Sequence, residues 1–258
     1  MTEVWVGTSG WVYRDWRADV YPEGLPQRSW LEFLSRRFPT IEINASFYRL
    51  PLRSTFEGWA AQVPTGFRFA VKMSRYLTHL RRFRDPAEPL ERFWERAGGL
   101  SAALGPVLFQ QPPTFQKDLG LLRELVDTLP TGMRAAFEFR HPSWLGDDVL
   151  ELLDGAGAAW VLADGPGARV PLHVVGGWSY IRFHQGTRYG SAYGGAKLRR
   201  WARRIASLDA SEVFVYFNND PGGAAPRDAS RLMRLLGGEA GSGGGERMAP
   251  IELSGREG

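Results

Sequence analysis

Short apolar, β-rich runs recur along the chain. Each is followed by a polar stretch containing Gly or Pro and, in most cases, by a segment with apolar residues at helical spacing. The runs fall at Val4–Thr8, Thr40–Asn44, Phe67–Lys72, Pro106–Gln110, Ala135–Arg140, Ala159–Asp164, Tyr180–His184 and Val213–Asn218. Between them, Leu119, Leu122, Leu125 and Leu129, or Leu198, Trp201, Ile205 and Leu208, recur every three or four residues, as one face of a helix does. Ser29-Trp-Leu-Glu32 and Ser54-Thr-Phe-Glu57 have the S-x-x-E form of a capping box and place two helix starts.

Alternating strands and helices define an α/β protein, and eight such units in roughly 240 residues match the size of a (β/α)8 TIM-like barrel. A doubly wound open sheet would carry a Gly-rich phosphate turn after its first strand. Gly7-Thr-Ser-Gly10 lacks the third glycine of that turn. An irregularity is expected between strands 6 and 7, because Asp164–Ser179 holds four glycines and two prolines and has no room for a normal helix. Residues 1–236 therefore read as one barrel domain, and 237–258, rich in Gly, Ser and charge without periodicity, as a disordered tail.

The polar residues interrupt this pattern at one place, the C-terminal ends of the strands, where such barrels carry their reacting groups. Strand 2 ends Glu42-Ile-Asn44, strand 3 at Lys72, strand 4 at Gln110 and strand 5 Glu138-Phe-Arg140-His141. Strand 6 ends at Asp164, strand 7 Arg182-Phe-His184 and strand 8 Asn218-Asn219-Asp220. Side chains alternate with period two, so Glu42 with Asn44, Glu138 with Arg140, Arg182 with His184 and Asn218 with Asp220 share faces. The helix-facing layer wants apolar residues, which directs charged i,i+2 pairs to the lumen; a purely structural set of buried ion pairs is the competing reading.

Composition limits the chemistry. With no cysteine there is no disulfide, thiolate metal site, iron–sulfur cluster or cysteine nucleophile. Neither a signal-peptide pattern at Met1–Gly10 nor an apolar run of membrane-spanning length is present, so a cytoplasmic location without membrane association is expected. The formal charge of +4 permits nucleic-acid binding without arguing for it. What remains is carboxylate, amine, guanidinium and imidazole: Glu42, Glu138, Asp164 and His184 as catalytic acid/base groups, with Lys72, Arg140 and Arg182 holding an anion. No cofactor is expected; the alternative is a divalent metal on Glu42, Glu138, Asp164 and His184, although no H-E-x-x-H or close His pair is present.

Gly190-Ser-Ala-Tyr-Gly-Gly195 is followed by Ala196 where a phosphate loop needs Lys, and no G-x-S-x-G elbow occurs. The arginine runs Arg81-Arg-Phe-Arg84 and Arg199-Arg-Trp-Ala-Arg-Arg204 read as solvated charge on helix faces, and His79 and His141 as locally hydrogen-bonded loop residues, while His173 lies in a poorly patterned segment. Ten tryptophans stand among 33 aromatic residues. Trp5, Trp30, Trp59, Trp94, Trp160, Trp178 and Trp201 fall on strands or helices and read as core. Trp11, Tyr13, Tyr48, Tyr189 and Tyr193 sit in loops at the polar strand ends, where rings stack on sugars or bases; Trp16, Phe47 and Trp144 read as satellite cores there.

Long blocks resemble one family. Gly7-Thr-Ser-Gly-Trp-Val-Tyr13, Phe38-Pro-Thr-Ile-Glu-Ile-Asn-Ala-Ser-Phe-Tyr48, Phe69-Ala-Val-Lys72 with Leu77-Thr-His79, Leu108-Phe-Gln-Gln-Pro-Pro113, Glu138-Phe-Arg-His-Pro-Ser-Trp144 and Tyr216-Phe-Asn-Asn-Asp220 resemble the YecE-like family, domain of unknown function 72, over residues 3 to 236. The resemblance implies a TIM-like barrel in a bacterial or archaeal cytoplasmic protein and names no reaction. Its motif residues fall here on Asn44, Tyr48, Lys72, His79, Gln110, Glu138, Arg140, His141, Arg182, His184, Asn218 and Asn219; those outside the acid/base set are candidate substrate-binding residues. The Gly-rich tail lies outside the family pattern. The expected function is an enzyme acting by carboxylate acid/base chemistry on an anionic, phosphorylated or sugar-containing small molecule. A nucleic-acid-binding or repair protein and a non-catalytic ligand-binding scaffold are the alternatives, with oligomeric state open.

Overall fold

The structure is a computed structural model that describes residues 1–17, 19–165, 174–184, 192–237 and 249–253. Eight parallel strands close a barrel: β1 (Thr2–Ser9), β2 (Thr40–Ile43), β3 (Arg68–Lys72), β4 (Leu104–Gln110), β5 (Ala135–Glu138), β6 (Ala159–Asp164), β7 (Ser179–Phe183) and β8 (Glu212–Phe217). Each pairs with the next, and β1 closes the ring by pairing with both β8 and β2.

The helices are α1 (Trp30–Ser35), α2 (Ala45–Tyr48), α3 (Arg53–Ala60), α4 (Ala87–Ala97), α5 (Leu119–Asp127), α6 (Asp147–Gly155), α7 (Gly195–Ala206) and α8 (Ala224–Gly237). Their buried stripes cover the outside of the barrel; in α7 the stripe is Leu198, Trp201, Ala202 and Ile205. Among the described residues no helix lies between β6 and β7, and residues 166–173, His173 among them, fall outside the described set.

The two capping boxes do not form. A 3-10 turn runs into α1, so Ser29 has near-helical backbone angles (φ −96°, ψ 0°) and its hydroxyl makes no cap bond. In α3 the extended residue at the start is Leu52, which puts Ser54 inside the first turn. Asp118 does cap α5, accepting from the Leu121 N–H at 3.1 Å. The segment expected to be a structureless tail also yields β9 (Ile251–Leu253), which runs antiparallel to Thr2–Val4. It pairs with β1 at its first residues, ahead of Gly7–Ser9, where β2 pairs with β1.

Two apolar layers result. One lies between strands and helices; the other fills the lumen and contains Trp5, Ala70, Leu108, Ala136, Ala159, Val161, Trp178, Tyr180, Phe214 and Tyr216. That set fixes which parity of each strand faces inward. Gly7 is required in it: a Cβ there would stand 1.9 Å from the Thr40 carbonyl oxygen. Gly7 pairs with Thr40 on one side and Tyr216 on the other, and its missing side chain lets the Tyr216 hydroxyl reach Thr40 Oγ1 across β1 at 2.7 Å.

Candidate functional site

Continuing the inward parity to the strand ends brings Ser9, Glu42, Lys72, Gln110, Glu138 and Arg182 together over the apolar lumen. Arg182 is the hub. Buried at 1% exposure, it donates from Nη2 to Glu42 Oε1 at 2.8 Å and from Nη1 to Glu138 Oε2 at 2.6 Å. Glu42 also accepts from the Ser9 hydroxyl at 2.8 Å and the Tyr180 hydroxyl at 2.6 Å. Glu138 Oε1 accepts from Gln110 Nε2 at 2.8 Å and Arg140 Nε at 3.0 Å, and faces His184 Nε2 at 3.2 Å. Asn218 Nδ2 lies 3.3 Å from His184 Nδ1, so the imidazole bridges Asn218 and Glu138.

Burial alone would raise both carboxyl pKa values, but Arg182 and the hydrogen-bond donors outweigh it: Glu42 is held below the usual carboxylate range and Glu138 well below. Glu138 therefore has no proton to give near neutral pH. Of the groups expected to move protons, it is the one most firmly fixed as an anion.

The mouth is electrostatically open by contrast. Lys72 Nζ donates to Gln110 Oε1 at 2.7 Å and sits 4.2 Å from the Phe47 ring centre. Burial and the neighbouring Arg182 lower its pKa to about 8. His79, in a π-helical turn at Tyr76–Leu80, packs edge-on against Phe47 with ring centres 4.9 Å apart. Burial, then Lys72, Arg140 and Arg75, push its pKa down to about 4. Phe47, expected to be mere packing, thus joins the two. On the other side of the Glu42–Arg182 pair, Asp220 is buried beside Tyr13, and desolvation, outweighing the hydrogen bond from the Tyr13 hydroxyl, raises its carboxyl to about 7. Tyr13 is raised in turn, by burial and by Asp220. Asn44 Oδ1 is likewise buried and unpartnered.

Other expected site residues lie elsewhere. Asp164 follows the inward Ala163 by one residue and so points outward, to Lys197 at 2.8 Å and Trp201 Nε1 at 3.2 Å on α7. Asn219 is outward by the same parity and donates to Asp228 of α8 at 2.8 Å. His141 caps the 3-10 turn at Pro142–Trp144 through Ser143. Tyr48 stands at the rim, 75% exposed. The four groups suited to a divalent ion do not assemble: Asp164 faces away and Arg182 stands between Glu42 and Glu138. Among the described residues no group of three His, Asp or Glu side chains is placed to hold a metal, and no helix is long and apolar enough to cross a membrane. Ser9 and Tyr180 are site residues that the sequence reading misses, although period two on β7 aligns Tyr180 with Arg182; Tyr13 is expected there only as a stacking ring and Asp220 only as sharing a face with Asn218.

A family model described as protein of unknown function DUF72 matches residues 5–250. The chain belongs to the DUF72 family. UPF0759 protein YunF of Bacillus subtilis is 26% identical over 273 residues, covering 90% of this chain and 94% of its own. A DUF72 crystal structure from Thermotoga maritima superposes with a TM-score of 0.81 at 28% identity, covering 90% of this chain and 98% of that one. One from Enterococcus faecalis gives 0.77 at 19%, covering 90% and 95%, a likeness of fold. The DUF72 match runs through Gly237, past the boundary at which the resemblance was expected to stop.

Proposed function

We propose that this DUF72 protein is an enzyme that binds an anionic group, of a phosphorylated or sugar-containing molecule, at the C-terminal mouth of its barrel. The observation that carries this reading is an imbalance of charge. Two buried carboxylates, Glu42 and Glu138, face three cations, Arg182, Lys72 and Arg140. Asp220, raised to about 7, neutralises little of the excess below that pH. Burial first and the neighbouring cations second depress Lys72 and His79, and a bound anion relieves the second of these causes.

In this reading Arg182 and Glu138 are fixed supports that orient Gln110, Arg140 and His184, while Lys72, Arg140 and His79 take the anion. Asp220, with a proton affinity near neutral and the Tyr13 hydroxyl beside it, is the proton-transfer group, in place of Glu138.

Titration calorimetry with inorganic phosphate and a panel of sugar phosphates tests it. Binding is expected to be lost in Lys72→Met and to weaken as pH rises through about 8, where Lys72 gives up its proton. Absence of binding, or binding indifferent to Lys72→Met and to pH, overturns the reading.

A further inference from the structure

Among the described residues eight large apolar side chains are exposed, and apart from Met1 and Leu235 they share one end of the barrel. Val12, Tyr48, Leu52, Tyr76, Leu80 and Leu145 all lie after the C-terminal ends of strands, around the mouth. One arc of this rim, residues 44–52 after β2 and 73–86 after β3, also carries Arg49, Arg75, Arg81, Arg82 and Arg84 against Asp85 as its sole carboxylate. Arg81 is spent on Asp85 and Tyr76. Arg49, Arg75 and Arg84 are exposed and have no ion-pair partner among the described residues. By contrast Arg36, Arg53 and Arg92, on or beside helices, each pair with a glutamate four residues away.

This run was expected on a solvated helix face, but Arg82, Phe83 and Asp85 have left-handed backbones, with φ of 50°, 71° and 43°. Such conformations persist only where the surroundings enforce them. Here the buried Phe83 ring does so, packing on Phe109, Phe115 and Phe137 at 6.5, 5.6 and 6.2 Å. The arc is a fixed platform. It is also continuous with the pocket: Tyr48 meets Phe47 edge-on at 5.1 Å, and Phe47 carries Lys72 and touches His79.

We propose that this arc docks a single-stranded nucleic acid, with Tyr48 and Tyr76 stacking on bases and Arg49, Arg75 and Arg84 on successive phosphates, so that a backbone phosphate reaches Lys72. The inference rests on the anion reading of the mouth and names the substrate class. Exposed tyrosines interleaved with unpaired arginines are the combination that recognises a flexible, stackable polyanion. The other arginine cluster, Arg199, Arg200, Arg203 and Arg204 on α7, lacks it: its one ring, Trp201, is buried, whereas Tyr48 and Tyr76 are exposed, Tyr76 with Arg81 over one face of its ring.

Fluorescence anisotropy with labelled 15-nucleotide DNA and RNA single strands, and the same DNA as duplex, tests this across a salt series. Single strands are expected to bind better than duplex, with Tyr48→Ala and Tyr76→Ala each weakening binding about 5- to 100-fold. Arg75→Ala and Arg84→Ala should each reduce the slope of log affinity against log salt by about 1. Comparing DNA with RNA distinguishes the two sources of the same chemistry. Absence of binding at low salt, duplex preference, or loss in Arg199→Ala/Arg203→Ala with the rim variants unaffected each overturns the inference. Phosphate calorimetry on the same preparations separates the failures: if phosphate binds through Lys72 while oligonucleotides do not, the rim inference falls and the pocket reading stands.

Discussion

The two ends of the lumen are closed by opposite means. At the N-terminal end Trp5 stacks on Phe214 with ring centres 5.7 Å apart, and Trp178 meets Phe214 edge-on at 6.1 Å. The cations there lie on ring faces, Arg134 at 4.4 Å from the Trp178 centre and Arg68 at 5.7 Å from that of Trp5, and Arg134 pairs with Glu212. At the C-terminal end the plug is ionic and leaves Asn44 Oδ1, Asp220 Oδ1 and Arg182 Nε without partners, where the apolar end leaves Trp5 Nε1. A fold needs only the first kind of closure. Buried ion pairs are weak stabilisers, because desolvation offsets much of their attraction. The ionic end is therefore better explained by what it holds than by what it stabilises.

Replacing the hub tests that contrast with the largest effect. Arg182→Met leaves Glu42 and Glu138 as buried anions without their shared cation, and should lower stability by about 3–5 kcal/mol in urea titrations at pH 7. Adding Glu42→Gln and Glu138→Gln should recover most of the loss. At the other end, Trp178→Leu should lower stability by about 2–3 kcal/mol through lost packing and leave phosphate affinity unchanged. If the triple variant stays as unstable as the single one, or Trp178→Leu alters phosphate affinity, the two ends do not divide the work in this way.

This division also explains what the sequence revealed. The eight strands and the inward pairs on β2, β5 and β7 followed from period two, because a buried face tolerates no slip in register. Asp164 and Asn219 failed for the same reason. They were placed by being polar at a strand end, whereas the parity of Ala159 and Val161 sends Asp164 out to α7, and that of Phe214 and Tyr216 sends Asn219 out to α8. The roles of Glu138 and Asp220 were beyond a single sequence. Which carboxylate collects the donors depends on how Gln110 at the end of β4 and Arg182 and His184 at the end of β7 converge on Glu138 and Arg140 at the end of β5, and that is a property of closure.

A smaller effect isolates the carboxyl that the network leaves out. Asp220 has a folded pKa of about 7, above its unfolded value. Below about pH 4 both states are protonated and the group has no influence. As pH rises from there to 7 the unfolded state ionises alone, so Asp220 removes stability progressively, and above 7 the deficit is constant. Asp220→Asn should therefore stabilise the protein by about 2 kcal/mol at pH 8, partial solvation being allowed for, and by almost nothing at pH 4. Equal stabilisation at both pH values would mean that the carboxyl is not the strained group.

The smallest effect is the most direct reading of the open mouth. His79 has a pKa of about 4 because it is partly buried and faces Lys72, Arg140 and Arg75. In the free protein it contributes stability that is complete above about 6.5 and is lost as pH falls toward 4, since the unfolded imidazole takes its proton first. A phosphate seated between Lys72 and Arg140 reverses the sign of that local field. The imidazole signal in a proton NMR titration should then move to a midpoint at least one unit higher, and calorimetry near pH 5 should register proton uptake on binding. An unmoved midpoint at saturating phosphate would place the anion away from the Lys72–His79 side and leave the surplus charge at the mouth unexplained.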